Sequence, residues 1–454
     1  MRREDSLVLL VVCLGTFFHM QSVGSISVSL SAIQKEFDTS LAAVQWIGLM
    51  GSIMLSSLSL CFGRVGDLIG QRTIFKIGLA LYTAGAALAA LASTFLHLLA
   101  SRCVMALGLA MAAPMAAAII ASTQGHESRG RALGFLAASI ALGRTTGPTI
   151  GGFILQLWGW RAVFLANCLF GIATCATLFL IFRGKEERRQ VSVDFLGVLS
   201  LIVGFPSFLI ALTAGTRFGW DASEIVLWLG LAAAGIISFV WRESRAKAPL
   251  MNLGYFRSPP FLRAMLSIVL ATLAFYPVAI FGPLYLLNVI GISPFTTGLA
   301  MATLPLCTTL LSPLSGRLAD RSEPRWVAIL GLCVILSGVF FYARLDEDST
   351  LIWIVFVLAT LGAGIGLFVP ANEKTAFATV PSRDYGMLSA MLTAFGTGSG
   401  ALGTTIAVAL AEVSKKSRVE GDGAGFFHDQ QFAFTILLPL AALAVLITLV
   451  GKRQ

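Results

Sequence analysis

The chain has 454 residues, 57% of them hydrophobic and only 12% charged, with a mean hydropathy of +0.85. Soluble domains carry about 25% charged residues, so a soluble enzyme or regulator is excluded. The formal charge of +9 would suit a nucleic-acid binder, but the placement of the basic residues points elsewhere.

The first element follows Met1-Arg2-Arg3, a start that superficially resembles a signal peptide. Its apolar run continues to about Ser31 without a small-residue cleavage site, so it reads as a retained first helix. A helix of about 20 mainly apolar residues crosses about 30 Å of hydrocarbon. Fourteen runs meet that length, at about 6–31, 41–62, 74–96, 98–121, 132–156, 160–182, 195–216, 222–243, 261–290, 294–315, 326–343, 350–372, 387–411 and 431–451. With the N-terminus inside, 23 of the 32 Lys and Arg fall on cytoplasmic segments and 7 on external ones. That excess is the positive-inside pattern. It places both termini in the cytoplasm and explains the basic charge without nucleic acid.

Between the second and third runs lies Gly63-Arg64-Val65-Gly66-Asp67-Leu68-Ile69-Gly70-Gln71-Arg72, a charged island read as a tight turn. It returns, shortened, as Gly316-Arg317-Leu318-Ala319-Asp320-Arg321. The two copies imply two related halves. A six-helix half occupies about 180 residues on this count, less than the separation of the two copies, so runs seven and eight are an insert. The expected organisation is 1–183 as a six-helix bundle, 184–257 as a two-helix insert with flanking cytoplasmic loops, and 258–454 as a second six-helix bundle.

The fifth run holds Gly143-Arg144-Thr145-Thr146-Gly147-Pro148-Thr149-Ile150-Gly151-Gly152. Gly143, Gly147 and Gly151 share one helix face and allow close approach of another helix, and Pro148 permits a bend. The duplicated island resembles the motif between the second and third helices of each half in the major facilitator superfamily. The Gly-x-x-x-Gly-Pro-x-x-Gly-Gly string and the six, two and six count resemble its fourteen-helix drug:proton antiporters. Trp160-Arg161, Phe164 and Asn167 are similar to the same subfamily, without the Pro that usually follows.

This resemblance implies an all-α polytopic membrane protein of the major facilitator fold. It also implies a secondary transporter in the inner membrane of a bacterium, exporting amphipathic or hydrophobic small molecules by alternating access. Proton coupling is part of that expectation, as are contact with membrane lipid and a monomeric state. Asp67 and Asp320 would belong to a cytoplasmic gate together with Gly63, Gly70, Arg72, Gly316 and Arg321, or would simply cap helix ends. Arg102 matches the Arg of the family's Arg-x-x-Gln-Gly pattern, where it is linked to proton coupling, but Met105 and Ala106 replace the Gln and Gly. Snorkelling outward would explain Arg102 equally well. Pro370-Ala371-Asn372-Glu373 follows the subfamily until Glu373, which reads as an interfacial carboxylate.

The first-helix Asp of such antiporters is missing. Gln21-Ser22-Val23 occupies the stretch, with Ser22 at the aligned position, and none of the 23 acids lies near the middle of a run. Two other ionisable groups fall near the midplane. His19 lies about 20 Å from Ser6 and Arg144 about 18 Å from Ala132, at 1.5 Å per residue. An Arg at that depth costs at least about 2.5–3.5 kcal/mol and normally faces a cavity or a partner. An anionic group on the substrate would satisfy Arg144, and His19, with an unperturbed pKa of about 6.5, would be the substitute proton carrier. Tyr276 is a candidate cavity-lining aromatic. No cofactor and no metal are expected, because the four His and seven Cys have no ligand spacing and no catalytic arrangement stands out. An uncoupled facilitator or a lipid or fatty-acid transporter of the same fold is the alternative, and a non-transporting sensor a more distant one.

Overall fold

The computed structural model describes residues 3–123, 126–181, 195–218, 222–245, 253–381, 384–417 and 426–450. Of the loops expected to flank the insert, residues 184–194 and 246–252 lie outside the described residues. Among those described every long element is an α-helix, as a hydrocarbon environment demands of backbone that cannot reach water. They are α1 (Arg3–Glu36), α2 (Leu41–Ile69), α3 (Gln71–Ala90), α4 (Phe95–Thr123), α5 (His126–Ile181), α6 (Phe195–Phe218), α7 (Ser223–Arg245), α8 (Pro259–Phe275), α9 (Val278–Asn288), α10 (Pro294–Arg321), α11 (Pro324–Tyr342), α12 (Leu351–Phe377), α13 (Tyr385–Ser417) and α14 (Phe426–Leu449). A 3-10 turn, Leu253–Arg257, precedes α8.

Twelve stretches of these helices are long and apolar enough to cross a membrane, and Leu199–Gly215 is a shorter apolar helix. One of the twelve, Ala132–Phe179, passes through Gly159, whose φ of 78° interrupts the helical geometry of α5. Another, Pro259–Asn288, contains the break between α8 and α9 at Tyr276-Pro277.

Two compact units emerge. One is Met1–Val198 with Ser293–Ala302, and the other is Leu199–Ile292 with Thr303–Gln454. In the first, Val12, Phe75, Leu79, Met115, Ile119 and Leu178 form a shared apolar core between α1, α3, α4 and α5. Its tightest packing is between α1 and α5. A Cβ on Gly147 would sit 2.4 Å from the Gln21 carbonyl oxygen, and one on Gly151 would sit 2.3 Å from Ser25 Cα. A Cβ on Gly143 would meet the Phe17 carbonyl oxygen at 2.5 Å, and from the other side one on Gly24 would meet Pro148 Cδ at 2.5 Å. The two backbones are therefore in contact over three turns, the arrangement that small residues permit in membranes. Gly152 instead faces the start of α10, where its Cβ would lie 2.2 Å from the Pro294 carbonyl oxygen.

The charged island between α2 and α3 differs from the expected turn. Residues 63–69 remain helical, and the chain reverses at one residue, Gly70, with φ 119° and its N–H bonded to Gly66 O at 2.9 Å. Only glycine adopts that conformation without strain. The second copy likewise stays helical to Arg321. In the second unit α12 lies close on α10, since a Cβ on Gly362 would meet the Leu304 carbonyl oxygen at 2.2 Å. Thr308 Oγ1 also donates to Gly362 O there, at 3.0 Å. Cys13, Cys61 and Cys168 are buried as expected of small core residues, whereas Cys333 is exposed.

Replacing Gly147 with Leu should cost at least about 1–3 kcal/mol of overpacking, because backbone rather than a flexible side chain opposes the new atoms. Gly63→Ala meets nothing within 4 Å and should be neutral. Thermal unfolding of the two purified variants against the parent measures the contrast.

Candidate functional site

A chain of polar groups is buried in the first unit, where α1, α3 and α5 meet. The glycine stripe fixes the rotation of α1 against α5, which turns Gln21 and Ser25 toward α5 and leaves His19 and Ser22 for α3. On the α5 side, Gln21 Nε2 donates to Ser25 Oγ at 2.7 Å, and Ser25 Oγ donates to Gly147 O at 2.9 Å. On the other side, the His19 ring lies 5.0 Å from the Tyr82 ring, centroid to centroid, and the Tyr82 hydroxyl donates to Ser22 Oγ. His19 Nε2 is buried and has no hydrogen-bond partner.

A second buried polar group is Arg102 of α4. It is 7% exposed, so it does not snorkel to the surface. Its Nε donates to Ile47 O of α2 at 3.0 Å and its Nη1 lies 3.5 Å from Met105 Sδ. Met105, the residue that replaces the family's Gln, is thus the neighbour of the guanidinium. No carboxylate among the described side chains pairs with Arg102.

Arg144 lies apart. It is exposed, one turn before Pro148, and no hydrogen bond or ion pair reaches its guanidinium among the described residues. At 3.6 residues per turn it sits between the glycines that face α1 and Gly152, which faces α10. His19 and Arg144 share a depth in the sequence but not a contact.

The remaining candidates occupy the second unit or the motif. Tyr276 is half-buried at the α8–α9 break, its ring against Gly400 of α13, where a Cβ would come within 2.7 Å. Glu373 is half-buried on α12 beside Asn372, whose Nδ2 donates to Ala264 O at 3.0 Å. Asp320 accepts from Lys374 Nζ at 2.6 Å, and Lys374 also donates to Ala319 O at 2.8 Å. Asp320 therefore binds a cation of α12 rather than capping backbone N–H groups. Arg321 is exposed and Arg72 half-buried, while the side chain of Asp67 lies outside the described residues.

Sequence reasoning did not single out Tyr82 or Ser25, although each is a polar residue in an apolar helix. It also did not foresee the clasp at the far end of α1. There Trp160 Nε1 and Arg161 Nη1 both donate to Glu36, each at 2.5 Å, and Arg161 Nη2 donates to Ala92 O at 3.0 Å.

With this geometry in hand, likeness to known proteins can be stated. The family model of the Major Facilitator Superfamily matches residues 12–404 and again 264–453. Multidrug resistance protein Stp of Mycobacterium tuberculosis (strain CDC 1551 / Oshkosh) is 29% identical over 412 residues, 90% of this chain and 76% of that protein. Lincomycin resistance protein LmrB of Listeria monocytogenes (strain ATCC BAA-679 / EGD-e) is 26% identical over 404 residues, 89% of this chain and 86% of that protein. A solved structure of a bacterial homolog of the human lysosomal transporter Spinster, inward-facing and occupied, aligns with a TM-score of 0.70. It covers 99% of this chain and 97% of that one at 17% identity, a likeness of fold alone.

Tyr82→Phe removes the bond to Ser22 and should lower stability by about 1 kcal/mol. Lys374→Ala breaks an exposed pair and should change stability by no more than about 1 kcal/mol. Thermal melts of the purified variants check both.

Proposed function

The chain belongs to the major facilitator superfamily, and on that premise we propose that it is a proton-coupled exporter of amphipathic small molecules. It is a multi-pass membrane protein and a transporter rather than an enzyme. The observation that carries the efflux reading is likeness over 90% of the chain to a multidrug resistance protein. The direction of transport is supported by the Gly143–Gly152 string, of which Gly143, Gly147 and Gly151 pack against the α1 backbone.

On this reading the protein sits in the inner membrane of a bacterium and works by alternating access. Fourteen crossings result if Ala132–Phe179 crosses twice, turning at Gly159, and Leu199–Gly215 crosses once. An even number returns the C-terminus to the cytoplasm, where the basic residues gather. Residues 184–257 are then the insert between two six-helix bundles. The ion pair of Asp320 with Lys374 holds the ends of α10 and α12 together, as a cytoplasmic gate requires. Arg144, exposed and unpartnered, favours substrates that carry an anionic group. His19, with its open Nε2, is the proton carrier in place of the missing Asp, and Tyr82–Ser22 is its neighbour.

A second reading, an uncoupled facilitator or a lipid or fatty-acid transporter, is favoured by the missing first-helix Asp, whose aligned position is Ser22.

Proteoliposomes loaded with paired anionic and cationic fluorescent amphiphiles, with and without a pH gradient, distinguish the readings. Gradient-driven movement of the anion supports the exporter, whereas movement regardless of pH supports the facilitator. Arg144→Gln should slow anion transport by about ten-fold or more, the loss of one charge-assisted contact, and spare the cation. Equal transport of the anion by the variant refutes that role. His19→Gln should flatten the pH profile, and an unchanged profile removes His19 from coupling.

A further inference from the structure

We propose that the groove between α11 and α14 holds one acyl chain of a phospholipid whose headgroup pairs a phosphate with an ammonium. The proposal rests on the chain being a membrane protein and not on the exporter reading. The groove has a volume of about 640 Å³ and is lined by Cys333, Ser337 and Phe340 of α11 and Thr435, Pro439 and Ala442 of α14. These two helices run side by side, with the Tyr342 and Phe434 rings 4.5 Å apart, centroid to centroid, at one end.

The depth of the groove matches one leaflet. Cys333 is the middle residue of α11, which runs Pro324–Tyr342 over 19 residues. At 1.5 Å per residue Phe340 lies about 10 Å further along the axis, and Arg344 about 16 Å. Half of the hydrocarbon core is about 15 Å. A chain that enters beside Arg344 therefore reaches the midplane where the α11 wall of the groove ends, at Cys333. A partner's transmembrane helix would instead need a contact along the whole span.

The mouth carries charges of both signs. The Arg344 guanidinium lies 5.1 Å from the Phe340 ring centroid, which keeps it over the groove wall. Among the described residues no carboxylate pairs with it. Exposed Asp346, Glu347 and Asp348 follow it in the same loop. Two bonds fix that loop in place. Gln431 Nε2 of α14 donates to Leu345 O at 2.7 Å, and the Tyr285 hydroxyl of α9 donates to Asp346 O. A phosphate on Arg344 leaves the headgroup ammonium in the field of the three carboxylates. A purely anionic headgroup would meet the same carboxylates as like charges, which disfavours it.

The test titrates the purified full-length protein in detergent with phosphatidylethanolamine or phosphatidylglycerol and counts bound lipid by native mass spectrometry. Phosphatidylethanolamine should fill one saturable site that phosphatidylglycerol fills more weakly. Arg344→Gln should weaken its binding about five-fold, the worth of one cation near a lipid surface. Thr435→Trp fills the groove without touching the headgroup contacts and should abolish the site. A phosphatidylethanolamine with a diazirine in its acyl chain should crosslink to residues 333–340 and 435–442, and unlabelled lipid should displace it. If Thr435→Trp fails to fold, that crosslink map in the parent protein decides. Equal or tighter binding of phosphatidylglycerol, or groove crosslinks that unlabelled phosphatidylethanolamine does not displace, overturns the proposal.

Discussion

The first unit depends on α1 and α5 touching through their backbones. Gly143, Gly147 and Gly151 leave no room for a side chain between the helices, so neither can rotate or slide without a clash. This constraint sets which residues of α1 face which neighbour. One face delivers Ser25 to the Gly147 carbonyl, and the other delivers His19 and Ser22 to Tyr82. In a bilayer, where lipid tails compete on equal terms for apolar surface, such contact fit is the main force that selects one helix arrangement.

Polar chemistry is then possible only where that arrangement permits it. Buried polar groups link α1 to α3 and α5, and α4 to α2, and each would be costly alone in hydrocarbon. The Tyr82–Ser22 bond satisfies two neutral groups, and the Ile47 carbonyl gives partial relief to Arg102. Positive charge remains in excess. Among the described residues no carboxylate pairs with Arg102, so its charge is met by a carbonyl and a thioether alone.

Much of this was legible in the sequence, for physical reasons. Hydrocarbon thickness makes a crossing helix visible as a run of apolar residues, and a glycine every fourth position marks a face that must come close to another. The α1–α5 contact was therefore readable from Gly143, Gly147 and Gly151 before its partner was known. The partner was not readable, because nothing local to α5 specifies α1. For the same reason Arg102 remained balanced between snorkelling and burial until Ile47, 55 residues away, appeared as its acceptor. The charged island was misjudged in a different way. Gly63 and Gly66 suggested a loop, but apolar neighbours and tertiary packing keep 63–69 helical, and the reversal falls on Gly70 alone.

That one-residue connection has a mechanical consequence. Two helices joined by a longer loop can move independently, whereas α2 and α3 share a single pair of backbone dihedrals. A tilt of α2 must therefore be passed to α3 as through a rigid elbow. α2 carries the carbonyl that holds Arg102, and α3 carries the hydroxyl that holds Ser22. A displacement at the charged end of this elbow therefore bears on two buried bonds, that of Arg102 to Ile47 and that of Tyr82 to Ser22.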